Sequence, residues 1–308
     1  MTDTKKSNTP YDDVHRTLLN DCPKLIIPVV NEMFQKKHKD NEKVTLLNNE
    51  FFINRQGGEQ SERITDTHCM IGTERYHIEC ESSMDGTIVV RLFEYDSQIA
   101  LQSSFQQKDK LVVKFPNTAI LYLRHNENTP DQMRIELHVP GASCSYMVPV
   151  MKVQNYTIEE IFQKRLFFLI PFHIFTYEKN LKGYDADEDK LSELTRVYDE
   201  IIERLNEYVA LQVIDEYTKV TIIDMSKKVL EHLAKKYSNV IEGVGAIMGG
   251  KILDYEAKDI LNQGRAEGQE AGLTAIIRKK LERGDSVEKI ADDLVENVAD
   301  IQKIVDTL

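Results

Sequence analysis

The chain has 308 residues, of which 41% are apolar and 29% are charged, and this composition is typical of a globular protein of about two domains. It excludes a fibrous chain, a disordered chain and a small scaffold held together by disulfides. The 39 basic and 51 acidic residues give a net charge of −12, which argues against a large non-specific nucleic-acid surface, because phosphate contacts need clustered lysine and arginine.

The cysteines and the apolar runs indicate a cytoplasmic protein without a membrane segment. The four cysteines show no CxxC spacing, so neither a zinc knuckle nor a redox pair is predicted, and free thiols suit a reducing compartment. The longest apolar run, 166–175, contains Pro171 and is much shorter than the ~20 residues that a bilayer needs. The polar start of the sequence lacks the apolar segment of a signal peptide.

The N-terminal part predicts a helical segment, then a β-hairpin, then another helix. Residues 11–37 carry apolar side chains at three- and four-residue spacings, and two prolines within them predict a division into two helical pieces. Residues 63–72 and 75–82 alternate polar and apolar residues around Gly72, which is the pattern of a hairpin. An apolar stripe with helical spacing then covers 87–103.

The middle of the chain predicts further strands and a capped helix. The strand candidates are 110–115, 118–125, 132–139 and 145–153. Thr157 and Glu160 have the spacing of a capping box and predict a helix over 157–165. The apolar stretch 165–172 fits either a buried strand or the start of a helix, because periodicity does not separate the two.

The second half of the chain is predicted to be helical and acidic. Residues 181–308 hold 18 basic and 27 acidic residues, a net charge of −9. Amphipathic patterns predict one long helix over 185–217 and a second helix over 218–237. Glycines predict a flexible break at 243–250 and a punctuated linker at 264–272, followed by two short helical pieces.

Three carboxylates on the predicted hairpin form the main candidate site. Glu79 and Glu81 alternate along one strand and therefore project from the same face. If the two strands pair, Asp66 lies beside them, and such a group of carboxylates repels itself unless a cation lies between its members. Oxygen ligands without histidine or cysteine suit Mg²⁺ or Mn²⁺. The competing interpretation is an ordinary, solvated edge hairpin.

Other candidates carry weaker signals. His68 and His77 lie on the same hairpin and have the chemistry of metal ligands, but a single histidine on a strand is more often an ordinary surface or core residue. The basic cluster 278–283 is suited to phosphate, yet the acidic residues that follow it favour a solvated helix face. The tail around 296–301 loosely fits a helix-turn-helix but offers poor side chains for reading bases.

Residues 63–101 resemble the PD-(D/E)XK nuclease family transposases, also called recombination-promoting nucleases. In that family an Asp on one strand precedes an E-x-Q or E-x-K on the next strand, and then comes a helix with an Arg…Tyr pair. The matching residues are Asp66, Glu79 with Glu81, and Arg91 with Tyr95. The N-terminal YDDVHRTLL resembles the family's D-x-x-F-K opening, with Asp12 and Arg16 in the polar places and His15 in place of Phe.

The resemblance implies a particular fold and domain order. It implies a restriction-endonuclease-like α/β core over 11–180, with a mixed central sheet flanked by helices. A helical C-terminal region over 185–262 would follow, and we expect the helical half to serve either self-association into a homo-oligomer or intramolecular docking. The remainder, 263–308, is the glycine-punctuated linker and short helical tail, which also resembles the C-terminal ends of these proteins.

The resemblance also implies an activity. Asp66 and Glu79 would coordinate Mg²⁺, or Mn²⁺, together with the main-chain carbonyl of Cys80. The metal would lower the pKa of a bound water and stabilise the negative charge on a phosphate. The implied reaction is the hydrolysis of a DNA phosphodiester by a metal-dependent endonuclease, and the implied partner is DNA.

Position 81 departs from the family pattern. The family usually has Gln or Lys there, whereas Glu81 carries the charge opposite to that of lysine. It would act as an extra metal ligand or as a general base. Arg63 or Arg91 would then supply the missing positive charge, although each is more often a surface or salt-bridged arginine.

Two helices offer supporting residues. Glu32 is either a further carboxylate for the metal or a solvated helix residue. Arg91, Tyr95 and Gln98 share one helical face, and they either line the DNA side of the site or support the sheet.

Two interpretations without catalysis remain open. In the first, the site has decayed and the protein is a DNA-binding or regulatory protein of a mobile element or a defence system. In the second, weaker interpretation, the helices of 185–262 form an oligomeric scaffold.

Overall fold

The computed structural model describes residues 10–48, 50–54, 60–83 and 86–249, with scattered positions between 274 and 305. The chain divides into two units, Met1–Gly250 and Lys251–Leu308. The boundary predicted near residue 180 falls inside the first unit, and the three-part domain division stays a prediction. In the second unit, almost all described positions are helical, and three isoleucines are buried together: Ile277, Ile290 and Ile301. The predicted linker 264–272 lies outside the described residues.

The described part of the first unit contains eight α-helices. Their bounds are α1 Pro10–Asp21, α2 Ile26–Phe34, α3 Ile88–Gln102, α4 Ile158–Gln163, α5 Leu181–Ala186, α6 Glu188–Ala210, α7 Glu216–Leu233 and α8 Ser238–Ile247. Short 3₁₀ helices occur at Pro23–Leu25, Val153–Asn155, Phe167–Thr176 and Glu178–Asn180.

The strands form one large sheet and two small ones. Their bounds are β1 Val44–Leu46, β2 Glu50–Asn54, β3 Gln60–Ile64, β4 Thr67–Ile71, β5 Glu74–Glu81, β6 Phe105–Gln107, β7 Lys110–Val112, β8 Asn117–Tyr122, β9 Gln132–Val139 and β10 Ala142–Lys152. The six-stranded sheet has the order β1-β4-β5-β8-β10-β9, while β2-β3 and β6-β7 are two-stranded sheets.

The central sheet is mixed. Strand β4 pairs antiparallel with β5, which pairs parallel with β8, and β8 pairs parallel with β10. Strand β9 pairs antiparallel with β10 at the edge. The parallel step from β5 to β8 requires a crossover, and the chain makes it through α3. The prediction of an α/β fold with a mixed sheet flanked by helices is therefore confirmed.

The two faces of the sheet differ in chemistry. On β5, Tyr76, Ile78 and Cys80 face a large apolar core that also contains residues of α1, α2 and α6 to α8. The alternate residues of β5 face α3, whose Ile88 and Leu92 form a smaller core with apolar residues of β8 to β10. Because side chains alternate along a strand, this arrangement places the polar residues of β5 under α3.

Local signals in the sequence explain several confirmed elements. Pro23 separates α1 from α2 through the 3₁₀ turn Pro23–Leu25, whereas Pro28 lies in the first turn of α2. Gly72 has a φ of +60° between β4 and β5, a conformation that residues with a Cβ rarely adopt. Thr157 and Glu160 form the predicted capping box at the start of α4.

Two predictions in the helical half need correction. The helix predicted over 185–217 ends at Ala210, because Gln212 takes a left-handed φ of 57° before α7 begins at Glu216. The flexible break predicted at 243–250 is wrong, because 243–247 belong to α8, whose Val240 and Val244 are buried in the core.

The stretch 165–172 was open between a buried strand and the start of a helix. The structure has the helical alternative, the 3₁₀ helix Phe167–Thr176.

The described helices do not include a membrane span. None of them combines the length and the apolar character that crossing a bilayer requires.

Candidate active site

Asp66 lies directly opposite Glu79 at the end of the β4–β5 hairpin. The register pairs Thr67 with Ile78, so Asp66, one residue before β4, faces Glu79 across the two strands. The backbone N–H of Asp66 donates to Glu79 Oε1 at 3.2 Å, and the backbone N–H of Cys80 donates to Asp66 Oδ2 at 2.9 Å. The expectation that these carboxylates lie side by side agrees with this geometry.

Arg91 on α3 reaches both glutamates of β5. Its guanidinium forms an ion pair with Glu81, and it also lies 3.9 Å from Glu79 Oε2. Burial lowers the pKa of Arg91, but the charges of Glu81 and Glu79 outweigh burial and raise this pKa overall. The cation that the clustered carboxylates require is therefore supplied, in part, by the chain itself.

The carboxylates are withdrawn from solvent. The exposed fraction is 3% for Asp66, 0% for Glu79 and 7% for Glu81. Because charges in such an environment are screened weakly, the ion pair with Arg91 is stronger than a surface pair of the same geometry. The solvated edge hairpin is therefore not the environment of these residues.

A buried histidine extends the site beyond the predicted residues. His77 Nε2 lies 3.2 Å from Glu79 Oε1, and His77 Nδ1 lies 2.7 Å from Asp96 Oδ1 on α3. Burial lowers the pKa of His77, but Asp96 and Glu79 together raise it to about 9. The imidazole is therefore protonated at neutral pH and donates to both carboxylates. The ring edge of Tyr95 packs on it, with centroids 5.6 Å apart.

Asp96 ties this histidine to three elements of the fold. Besides His77, it accepts hydrogen bonds from Thr118 Oγ1 on β8 at 2.6 Å and from the Tyr146 hydroxyl on β10 at 3.1 Å. Burial and Asp96 raise the pKa of Tyr146, so its hydroxyl stays protonated and continues to donate. The sequence interpretation missed Asp96 altogether. The sequence holds only an indirect signal for this contact. His77 alternates with Glu79 along β5, and this alternation places His77 on the face that α3 covers.

Four carboxylates meet two basic side chains in this network. The carboxylates belong to Asp66, Glu79, Glu81 and Asp96, and the basic side chains to His77 and Arg91.

The oxygen atoms of the site fit Mg²⁺ only if waters and substrate phosphates supply its remaining ligands. Among the residues that the structure describes, no group of three or more histidine, cysteine, aspartate or glutamate side chains is arranged to hold a metal. Mg²⁺, however, is commonly bound by one or two carboxylates with waters and substrate phosphates. A carboxylate also has about four lone-pair sites, so the hydrogen bonds on Asp66 and Glu79 leave ligation chemically feasible. These two carboxylates with the Cys80 carbonyl match that mode.

The other predicted residues lie in varied positions. Asp12 is buried on α1, Arg16 and Gln98 are half-buried, and the side chain of Arg63 lies outside the described residues. Glu32 accepts from the Tyr156 hydroxyl at 3.2 Å and from Lys164 Nζ at 2.5 Å, which accounts for its position without a metal.

Two histidines near the hairpin have structural partners. His15, which stands where the family has Phe, lies 2.6 Å from the Thr67 hydroxyl and packs edge-on against Phe168. His68 Nδ1 lies 2.7 Å from the Asn48 carbonyl oxygen, and burial lowers the pKa of His68.

Compared with known proteins, the chain matches no protein-family model, no curated protein and no solved structure.

Proposed function

We propose that the protein is a metal-dependent DNA endonuclease of the recombination-promoting, transposase-like type. The observation that carries the proposal is the direct juxtaposition of Asp66 and Glu79 at the end of one hairpin, where each engages the other's strand through a hydrogen bond. The mixed α/β sheet gives this pair the setting that a restriction-endonuclease-like core would provide. The reaction is the hydrolysis of a phosphodiester.

Mg²⁺, or Mn²⁺, is the cofactor in this proposal. Asp66 and Glu79 would hold the ion with the main-chain carbonyl of Cys80. When bound, the ion would lower the pKa of a water and stabilise negative charge on the phosphate.

The chain's own residues have separate roles in this proposal. His77, which donates to Glu79 and Asp96, fixes the orientation of the Glu79 carboxylate. Arg91 holds Glu81 and approaches Glu79, so it sets how much negative charge the site presents. Glu81 is the candidate general base, because its carboxylate lies next in line on the same face of β5.

One observation favours the second candidate function, in which a nuclease fold has lost its catalytic activity and acts as a DNA-binding or regulatory protein. Arg91 already neutralises part of the charge of Glu79 and Glu81 from within the fold. A site stabilised by its own arginine has less need of a metal than one that lacks such a cation. In this case the protein would bind DNA without cutting it.

Cleavage of plasmid and linear DNA in Mg²⁺ and in Mn²⁺ tests the proposal. Asp66→Asn and Glu79→Gln keep the side-chain shapes and remove one charge each, and we expect both variants to lose cleavage by at least a hundredfold. Asp199→Asn, at an exposed position on α6, is the matched control and should cut like the wild type. A folded wild type that cuts with neither metal at low salt contradicts the endonuclease and favours the decayed site.

A further inference from the structure

Strands β6 and β7 form a small ribbon outside the central sheet. They pair antiparallel from Phe105–Val112 to Gln107–Lys110, and Lys108 and Asp109 make the turn between them. Neither strand is hydrogen-bonded to the six-stranded sheet. The ribbon follows α3 directly and leads through 113–116 into β8, so both of its ends are anchored to elements of the carboxylate network.

The ribbon is locally basic on an acidic protein. Lys108, Lys110 and Lys114 are exposed, and Asp109 is the single acidic residue between Phe105 and Phe115. Within the part of the chain that the structure describes, none of these three lysines has an ion pair. Some other lysines of the first unit pair with a carboxylate, for example Lys152 with Asp131 at 2.8 Å.

The same ribbon exposes apolar side chains. The exposed fractions are 49% for Phe105, 60% for Leu111, 39% for Val113 and 40% for Phe115. Lysines interleaved with exposed aromatic and aliphatic residues are the composition that contacts both the phosphates and the bases or sugars of a nucleic acid.

The base of the ribbon is linked to the candidate active site. Phe115 stacks on Phe93 of α3 with centroids 6.1 Å apart, and it lies 6.1 Å from the ring of Tyr146. The Tyr146 hydroxyl in turn donates to Asp96 of the buried network. A ligand seated on the ribbon therefore contacts a rigid support.

We propose that residues 105–115 form a DNA-binding ribbon, with Lys108, Lys110 and Lys114 on the phosphates and with Phe105 and Leu111 against the bases or sugars. The inference rests on the proposed function and names where its substrate is held. A polyanion is the favoured occupant, because the ribbon carries a net charge of +2, whereas two copies of the chain, each with a net charge of −12, repel each other.

Binding of the full-length protein to a labelled 30-base-pair duplex, measured by fluorescence anisotropy without divalent metal, tests the ribbon. We expect the triple variant Lys108→Gln/Lys110→Gln/Lys114→Gln to bind at least tenfold more weakly at 50 mM salt. The slope of log K against log salt concentration should become shallower by about 2.7, since each of the three phosphate contacts contributes about 0.9. Phe105→Ser should weaken binding and leave the slope unchanged.

A second triple, Lys182→Gln/Lys235→Gln/Lys236→Gln, removes the same charge from other exposed positions and is the control. Equal affinity and slope in the two triples overturn the inference, as does a wild type that does not bind the duplex. Loss of binding to vesicles of phosphatidylserine and phosphatidylcholine, or loss of a dimer, with DNA binding intact, overturns it in favour of a membrane or a second copy. The binding assay does not measure cleavage. A protein that binds DNA through the ribbon but does not cut DNA in the cleavage assay therefore contradicts the proposed endonuclease and not the ribbon.

Discussion

The protonated imidazole of His77 donates to Oδ1 of Asp96 across 2.7 Å, and both side chains are fully buried. His77 belongs to β5 and Asp96 to α3, and Asp96 also binds Thr118 on β8 and Tyr146 on β10. One carboxylate therefore holds a helix against three strands. The candidate active site is built on this junction, because the same imidazole donates to Glu79.

Asp96→Asn should destabilise the protein by about 3 kcal/mol or more. The substitution leaves the buried, protonated His77 with Glu79 alone, and breaking one partner out of a buried ion pair typically costs this much. Urea unfolding at pH 7, followed by circular dichroism, measures the loss. Asp109→Asn on the exposed ribbon turn removes the same charge and should stay within about 0.5 kcal/mol of the wild type. Equal midpoints for the two variants would contradict a stabilising network.

Arg91→Gln should cost about 2–3 kcal/mol, because it leaves Glu79 and Glu81 without their shared cation in a weakly solvated place. Arg204→Gln is the matched control. Arg204 also contacts two carboxylates, Glu159 at 2.8 Å and Glu200 at 3.3 Å, but both of these are exposed. The control should therefore lose less than about 1 kcal/mol.

The same Arg91→Gln variant separates the two candidate functions. If Asp66 and Glu79 hold a metal, Mg²⁺ replaces the lost cation, and it should raise the melting temperature of the variant more than that of the wild type. Thermal unfolding with and without 5 mM Mg²⁺ measures the difference. No response of either protein indicates the decayed site, whereas an equal rise in both indicates that Mg²⁺ binds without taking the place of Arg91.

His173 should weaken the fold as the pH falls. Burial lowers the pKa of His173 to about 4, whereas the unfolded chain has a histidine pKa of about 6.5. The unfolded state therefore binds the proton first, so this stability is present above pH 6.5 and is lost as the pH falls towards 4. From pH 6.5 to pH 5 the loss is about 2 kcal/mol.

His173→Gln removes this titration and isolates its contribution to the acid side of the stability curve. The variant should lose about 2 kcal/mol less than the wild type between pH 6.5 and pH 5, measured by urea unfolding at each pH. His77 does not obscure the comparison, because both proteins contain it and its contribution cancels in the difference between their curves. Parallel curves for the two proteins would contradict the assignment.

Gly245→Ala should stabilise α8 by about 0.5–1 kcal/mol, because alanine has the higher helix propensity and a Cβ at this position meets open space. Gly243→Ala in the same helix is the comparison. A Cβ there would lie 3.3 Å from Leu191 Cδ1, so the gain should be smaller or reversed. Thermal unfolding of both variants measures the difference, and equal stabilisation would indicate that Leu191 yields freely.

Much of the fold was predictable where local signals agree with the final packing. The apolar spacing of α1 and α3, the turn at Gly72 and the capping box at Thr157 each have a short-range physical cause. The break between α6 and α7 was not predictable in this way, because Gln212 enters the left-handed region without a glycine or proline to signal it. Burial of Val240 and Val244 outweighs the glycines of α8 for a similar reason, since it depends on tertiary contacts.

The same distinction applies to the candidate site. Contacts within one hairpin were predictable from the sequence, and contacts between α3 and β5 were not. The positions of Asp66 and Glu79 follow from the register of a single hairpin, which alternation and turn position fix. The partnership of His77 with Asp96 depends on how α3 lies over β5, and no local pattern specifies that docking. The family resemblance supplied Arg91 as a candidate, and the ion pairs of Arg91 with Glu81 and Glu79 are consistent with that choice.

The connectivity of the sheet also sets an order of assembly. Asp66 and Glu79 are thirteen residues apart in one hairpin, so they meet in an early and local folding event. Thr118 and Tyr146 arrive only after the crossover through α3 has paired β8 and β10 with β5. Within the hairpin, His77 already lies beside Glu79, and the docking of α3 adds Arg91 to Glu79 and Glu81. The same docking brings Asp96 to His77, so the site is complete only when α3 packs on the sheet.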